Sequence, residues 1–236
     1  MSPSLAALAG LGLLLGLRHA FEPDHLAAVS TLATRQGRLA DACRLGLAWA
    51  LGHTASVGVV VGAIILFGLR LPDRLWPAAD VLVALLLIGL GASVILRYAR
   101  GRWHLHVHTH DATPGAPHLH LHSHAHGAAH AHVHPRGDAR RSLSFGLLHG
   151  LAGSAAILVL LVAAAPTRAA QLAYFLAFAL GTMIGMLAVS VSLAAIVRLA
   201  SSRGERWATV LHVGSAVTSV VVGLVIAGRL ASALGG

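Results

Sequence analysis

Six long apolar stretches constrain the fold of this chain more than any other feature. Each is at least as long as the roughly 20 residues that a helix needs to cross the hydrocarbon core of a bilayer. Lipid tolerates only helices and closed barrels, and we predict no β-strand anywhere in the chain. We therefore predict an all-α polytopic membrane protein with six transmembrane helices, at residues 4–33, 43–69, 75–97, 142–165, 169–197 and 207–231.

The composition supports a membrane protein and argues against two other classes. Of 236 residues, 56% are hydrophobic and 11% are charged, whereas a soluble domain has about 25% charged residues. The first stretch has no basic leader and no cleavage site, so we expect a retained helix rather than a signal peptide. The net charge is +9, but the basic residues are scattered at the ends of stretches, so we expect no nucleic-acid partner.

The arginines predict the orientation in the membrane, because cytoplasmic loops carry an excess of basic residues. One set of alternate loops holds twelve of them: Arg35, Arg38, Arg44, Arg97, Arg100, Arg102, Arg136, Arg140, Arg141, Arg198, Arg203 and Arg206. The opposite side holds four, which are Arg70, Arg74, Arg168 and Arg229. We therefore expect a multi-pass protein of the cytoplasmic membrane with both termini outside.

A short internal repeat indicates how the helices are organised. Residues 16–19 (Gly-Leu-Arg-His) match residues 146–149 (Gly-Leu-Leu-His), 130 positions later. Residues 51–54 similarly parallel residues 180–183, 129 positions later. With three helices in each copy, the second copy starts on the opposite side of the membrane. This predicts a 3+3 inverted repeat with a binding site near the membrane midplane. The predicted parts are a first repeat at 1–97, a loop at 98–141 and a second repeat at 142–236.

The first apolar stretch contains a polar cluster where hydrocarbon would surround it. Residues 18–25 read Arg-His-Ala-Phe-Glu-Pro-Asp-His. Each charged side chain at this depth costs about 2.5–3.5 kcal/mol, which makes the cluster a candidate functional site. The structural alternative is an ion pair between Arg18 and Glu22 or Asp24, with the histidines hydrogen-bonded in the core.

Pro23 explains how this cluster can converge on one point. A proline lacks an N–H and disturbs the preceding helical turn, so we expect a break that brings His19, Asp24 and His25 together. The break would free the His19 carbonyl to ligate a cation or hold a water. Two imidazoles and a carboxylate suit nickel, cobalt or zinc, and burial favours the neutral, metal-binding imidazole. We assign Arg18, Glu22 and Pro23 to shaping the site, with Glu22 paired to Arg18.

Other apolar stretches supply three more candidates. His53 and His149 lie at repeat-related places among small residues that let helices approach closely. We predict that His53 completes or gates the metal site, and that His149 is a further metal or gating residue. A lone buried histidine is otherwise a satisfied core residue. Thr182 corresponds to His53 and is a candidate polar lining group.

The predicted cytosolic loop is rich in histidine. A tract of this composition cannot bury a core, so we expect it to be disordered and to bind metal weakly at several points. The alternative is a tolerated low-complexity linker. The candidate auxiliary ligands are His104, His106, His108, His110, His118, His120, His122, His124, His126, His130, His132 and His134.

These motifs resemble those of the nickel/cobalt transporter family. His19, Asp24 and His25, with Arg18 and Pro23, resemble the family's signature helix. Residues 51–54 and 181–186 resemble two later motifs. A short six-span branch linked to the metal supply of urease and hydrogenase fits best. The resemblance implies transport of Ni²⁺ or Co²⁺, with His19, Asp24, His25 and His53 as metal-site residues.

The sequence therefore predicts a secondary transporter that moves nickel or cobalt through a site in the membrane. The ion would be its substrate, and no permanently bound cofactor is expected. We expect no enzyme, since no His-Glu-x-x-His run occurs. The alternatives are a zinc or broad divalent-metal exporter and a metal sensor built around the loop. A homo-oligomer and a cytosolic metallochaperone are further partner hypotheses.

Overall fold

The computed structural model describes residues 4–33, 39–69, 72, 75–100, 104–108, 118–122, 135–151, 162 and 165–234. Within these residues the chain forms seven helices and one two-stranded hairpin. The helices are α1 (Leu5–Ala20), α2 (Pro23–Ala33), α3 (Leu39–Phe67), α4 (Leu75–Ala99), α5 (Pro135–Leu151), α6 (Arg168–Ser202) and α7 (Glu205–Leu234). The strands are β1 (His104–His108) and β2 (His118–His122).

Four of the described helices are long and apolar enough to cross a membrane, namely α3, α4, α6 and the larger part of α7. The bent pair α1–α2 adds a fifth crossing if it is one broken span. Leucine and valine side chains cover the outer faces, as lipid contact requires: Leu14 is 66% exposed and Val59 is 72% exposed. The predicted stretch at 142–165 lies partly outside the described residues, so the count of six helices stays a prediction.

The predicted break in the first stretch is confirmed. α1 and α2 meet at 53°, and Pro23 is the first residue of α2, where its missing N–H costs nothing. The expected free carbonyl is wrong, however. The carbonyl of His19 accepts a hydrogen bond from the Glu22 N–H at 3.0 Å. A shorter-range bond therefore replaces the donor that Pro23 removes, and this backbone group has a protein partner.

Glycines let two pairs of helices pack at backbone distance. α1 packs along α6, and a Cβ on Gly16 or Gly181 would overlap a backbone carbonyl of the facing helix. α3 packs along α5 in the same way, through Gly52 and Gly146. Inside a bilayer the hydrophobic effect does not drive helices together, because lipid is as apolar as their side chains. Membrane helices associate instead through close packing of this kind.

The facing atoms of the two pairs correspond by sequence offset. Gly16 faces the Phe178 carbonyl and the Thr182 amide, and Gly146 faces the Trp49 carbonyl and the His53 amide. Gly181 likewise faces the Leu13 carbonyl and Leu17 amide, as Gly52 faces those of Leu143 and Leu147. Each residue of the first pair of helices is thus 129 or 130 positions away from its counterpart in the second pair. The contact between α1 and α6 is thus repeated in the contact between α5 and α3.

The remaining helices enclose this central set. α4 packs on α7 through Gly91 and Gly223, and Ser219 donates a hydrogen bond to the Leu87 carbonyl at 2.9 Å. The short helix α2 packs mainly on α7. Buried residues of α1, α2, α3, α4 and α6 form the main hydrophobic core, which includes Trp49 and Met186. The junction between α1 and α2 therefore lies among helices.

The histidine-rich segment contains two paired strands, where we predict no strand. β1 and β2 pair antiparallel, with His104 opposite His122 and His108 opposite His118. The alternation of histidine with leucine and valine has the two-residue period of a strand. At the two ends of the predicted loop, α4 continues to Ala99 and α5 begins at Pro135. Apart from Arg100, the other loop residues lie outside the described residues.

Candidate metal site

The helix break places three polar residues side by side inside the bundle. His19 lies in the last turn of α1, and Asp24 and His25 lie in the first turn of α2. The N-terminus of a helix stabilises a carboxylate there, because the unpaired N–H groups and the helix dipole are positive. His19 is 4% exposed and His25 is fully buried. The predicted convergence of His19, Asp24 and His25 is thus present in the structure.

The packed helices α3 and α5 bring two more histidines to this point. A Cβ on Gly150 would meet the backbone of His53, so the two helices are in backbone contact beside the cluster. His53 and His149 are 2% and 1% exposed. The ring centroid of His25 lies 5.1 Å from that of His53 and 4.5 Å from that of His149. Four histidines and one aspartate therefore share one buried cluster.

Three histidines form the first donor set, which we name the imidazole triad: His19, His25 and His53. Nε2 of His19 lies 3.3 Å from Nε2 of His53. Metal–nitrogen bonds of about 2.1 Å place neighbouring donors about 3.0–3.4 Å apart around one ion. The two nitrogens are therefore spaced as ligands of a single cation.

Asp24, His25 and His149 form the second donor set, the carboxylate triad. Nε2 of His149 lies 3.1 Å from Oδ2 of Asp24, and Nδ1 of His25 lies 3.4 Å from Oδ1. Since a carboxylate only accepts, both ring nitrogens carry a hydrogen when no cation is present. A cation could bind between the same atoms once each ring carries its hydrogen on the other nitrogen.

Among the described residues, two buried nitrogens of the cluster find no hydrogen-bond partner. These are Nε2 of His25 and Nδ1 of His53. A buried polar atom without a partner costs about 1–3 kcal/mol, so proteins rarely keep one without a functional reason. A cation bound by the imidazole triad would satisfy Nε2 of His25. The donor chemistry and the spacing both fit a divalent transition-metal ion passing through as substrate.

Two aromatic rings that the sequence analysis missed close the cluster. The Phe178 ring lies 5.3 Å from the His19 ring, and the Trp49 ring lies 5.5 Å from the His149 ring, between centroids. Trp49 and Phe178 are 129 positions apart, so the repeat offset is the signal from which they could have been found. Their burial keeps water from the histidines.

Other predicted site residues have different places. Thr182 is buried, but its hydroxyl donates to the Gly16 carbonyl at 3.2 Å, so it joins α6 to α1 and belongs to neither triad. Arg18 is exposed, and within the described residues it forms no ion pair with Glu22 or Asp24. The predicted pairing of Glu22 with Arg18 is wrong. The side chains of the loop histidines lie outside what the structure describes.

Glu22 instead supports His19. Its Oε2 lies 3.0 Å from Nδ1 of His19, so the carboxylate accepts the Nδ1 hydrogen and leaves the Nε2 lone pair directed towards His53. A carboxylate behind a ligating histidine holds the ring in the orientation that ligation needs.

Changing this carboxylate should weaken metal handling without destroying the site. We expect Glu22→Gln to raise the KM for nickel in a vesicle transport assay about tenfold, because a neutral amide oxygen accepts the His19 hydrogen more weakly than the carboxylate does. Asp41→Asn is the control, since Asp41 pairs loosely with the exposed Arg44 at 3.7 Å. Equal KM values for the two variants would contradict a supporting role for Glu22.

Comparison with known proteins agrees with this geometry. Residues 5–233 match the family NicO, described as high-affinity nickel-transport protein. The chain belongs to the NicO family. Urease accessory protein UreH of Bacillus sp. (strain TB-90) is 31% identical over 189 residues, which are 78% of this chain and 74% of the relative. No solved structure matches the chain.

Membership in NicO confirms the resemblance that the sequence motifs indicated. NicO is a family of transporters rather than enzymes, so the expectation of no enzyme is also confirmed. With several apolar helices of membrane-spanning length, this NicO chain is a multi-pass membrane protein of a metal-ion transport family. Its substrate is a metal ion.

Proposed function

We propose that this protein is a secondary transporter for nickel or cobalt and that the ion passes through the buried cluster. The observation that supports this most strongly is the cluster itself. Four histidines and Asp24 converge at a break between two helices, inside a bundle of apolar helices. Ionisable groups in such a place mark ion pathways. His19, Asp24, His25, His53 and His149 are the proposed ligands, with Glu22 and Pro23 shaping the site.

We also propose that the membrane part is a 3+3 inverted repeat. The backbone contacts of α1 with α6 recur between α5 and α3 at offsets of 129 and 130 positions, which supports a pseudo-twofold relation. Inverted repeats place the substrate site at the interface of the two copies. His19 and His149 are repeat mates, and both belong to the cluster. Movement of the α1–α6 pair against the α3–α5 pair would then expose the site to alternate sides.

The location and the loop follow as further proposals. The excess of arginine on one set of loops supports the cytoplasmic membrane with the histidine-rich loop in the cytosol. We propose that the loop histidines bind metal weakly and act as an auxiliary reservoir. A homo-oligomer and a cytosolic metallochaperone stay predictions.

The ligand set alone does not choose between nickel, cobalt and zinc, because imidazole suits all three ions. The family description favours nickel over a zinc or broad divalent-metal exporter. It also disfavours a sensor that does not transport, because the family is defined by transport.

The proposal is tested by transport in liposomes that contain the purified full-length protein. We expect uptake of radiolabelled nickel about tenfold above empty liposomes, and strong inhibition by excess unlabelled cobalt. Calcium and magnesium should not compete, because they prefer oxygen ligands. Zinc uptake without nickel uptake would favour the exporter alternative, and absence of any metal movement would overturn the proposal.

A further inference from the structure

The five ligating residues form two overlapping sets of three rather than one set of five. In each triad the donor atoms lie within 4.8 Å of one another. Among the described residues no such set contains both His53 and His149, whose ring centroids are 6.1 Å apart. A single ion has bonds of about 2.1 Å and cannot reach all five donors without rearrangement. The geometry therefore favours two neighbouring positions.

His25 is the residue common to both positions. Its Nδ1 faces Asp24 at 3.4 Å, on the side of the carboxylate triad. Its Nε2 is buried without a partner and is available to the imidazole triad. In the first position Asp24 orients the His25 ring, and in the second position Asp24 is itself a ligand. One imidazole with two distinct nitrogens can thus pass an ion from one position to the other.

Only the imidazole triad has a ligand on the α1–α6 pair, while its ligand His53 is on α3. His19 is on α1, which is packed on α6, whereas His149 is on α5, which is packed on α3. Asp24 and His25 are on α2, which packs mainly on α7. A shift of the α1–α6 pair would remove His19 from the imidazole triad and leave the carboxylate triad intact. The ion would then keep a set of ligands while one side opens.

We propose that the metal ion occupies two successive positions, first the imidazole triad and then the carboxylate triad, with His25 as the shared ligand. This proposal rests on the proposed transport function and adds a transfer step within the same site. The step exchanges ligands without changing the oxidation state of the ion, and the hydrogen on Nδ1 of His25 moves to Nε2 as the ion leaves Nε2 for Nδ1. His19 and His53 leave as Asp24 and His149 bind. His149 is therefore required for passage rather than for initial binding.

The test compares His53→Ala and His149→Ala in the purified full-length chain. The loop histidines of residues 104–134 are replaced by serine in every sample, so that nickel reports only the membrane site. X-ray absorption counts the imidazoles on bound nickel, competition with a chelator gives the Kd, and liposomes report transport. His25→Ala serves as the variant that removes both positions, and His212→Ala as a buried histidine of α7 outside both triads.

We expect His149→Ala to keep the full imidazole count and a Kd within about threefold of the reference, but to lose transport at least tenfold, roughly one 1.4 kcal/mol step. His53→Ala should lose an imidazole and bind about tenfold more weakly. Equal losses of imidazole and affinity in both variants would overturn the two positions in favour of one site.

The controls separate this failure from failure of the transport function. If His25→Ala abolishes binding and transport while the other two variants behave alike, only the two-position proposal falls. If His25→Ala leaves both intact, the proposed site falls as well. Glutamine replaces alanine at any position where size-exclusion chromatography shows that the alanine variant does not fold.

Discussion

Alanine at Asp24 or at His25 should abolish nickel transport, by about 100-fold or more, while the protein stays folded in the membrane. His25 belongs to both donor triads, and Asp24 either ligates the ion or orients the His25 ring. Neither residue supports the helix-packing contacts, which run through glycine backbones elsewhere. The effect should therefore appear in the transport of radiolabelled nickel by liposomes and not in the yield of folded protein.

His212→Ala is the matched control for this experiment. His212 is also buried, at 3% exposure, but it lies on α7 and belongs to neither triad. It should transport nickel at a rate within about twofold of the unchanged chain, because no proposed ligand is lost. Transport by the Asp24→Ala or His25→Ala protein at the rate of this control would remove the cluster from the ion pathway.

Much of the site could be predicted from the residues of the first apolar stretch. Charged residues inside an apolar stretch are so costly that Asp24 had to be either part of a site or paired with a basic residue, whatever the fold around it. Pro23 in the same stretch predicted a helix break, and the break at residues 21–22 follows from it. These inferences depend only on local chemistry, which the sequence displays directly. The cluster of His19, Asp24 and His25 was therefore predictable.

Contacts between helices were harder to predict, because they depend on how packed surfaces meet. The repeat offset related His149 to His19 but did not say that His149 would lie 3.1 Å from Asp24. Glu22 has two basic neighbours in sequence, Arg18 and His19, and its carboxylate contacts His19 in the structure. Which of the two it contacts depends on the bend between α1 and α2. Thr182 matched His53 in sequence, yet its hydroxyl serves the Gly16 carbonyl.

The two strands of the histidine-rich loop were not predicted, for a different physical reason. A histidine-rich composition argues against a buried core, but two strands need only backbone pairing and a two-residue alternation. Residues 104–108 and 118–122 supply that alternation, and the structure pairs them. Composition and periodicity were thus separate signals, and only the first was considered.

Alanine at Gly146 should destabilise the protein by about 1–3 kcal/mol, because a new methyl group would overlap the backbone of the facing helix. Its Cβ would meet the Trp49 carbonyl and, at 3.0 Å, the His53 amide. Since neither atom can move without moving α3, α3 and α5 must separate beside the buried cluster of histidines and Asp24. We expect both a lower melting temperature in detergent and slower nickel transport.

The proposed inverted repeat makes this prediction sharper, because Gly16 occupies the corresponding place on α1. Gly16→Ala should lower the melting temperature by a similar amount, since its Cβ would overlap the Phe178 carbonyl. Gly89→Ala is the control: no atom lies within 4 Å of a Cβ there, and alanine improves helix propensity by up to about 1 kcal/mol. If Gly16→Ala and Gly146→Ala both match this control, close glycine packing does not hold the helix pairs together. If only one of the two is destabilised, the equivalence of the α1–α6 and α3–α5 contacts fails, and with it the support for an inverted repeat.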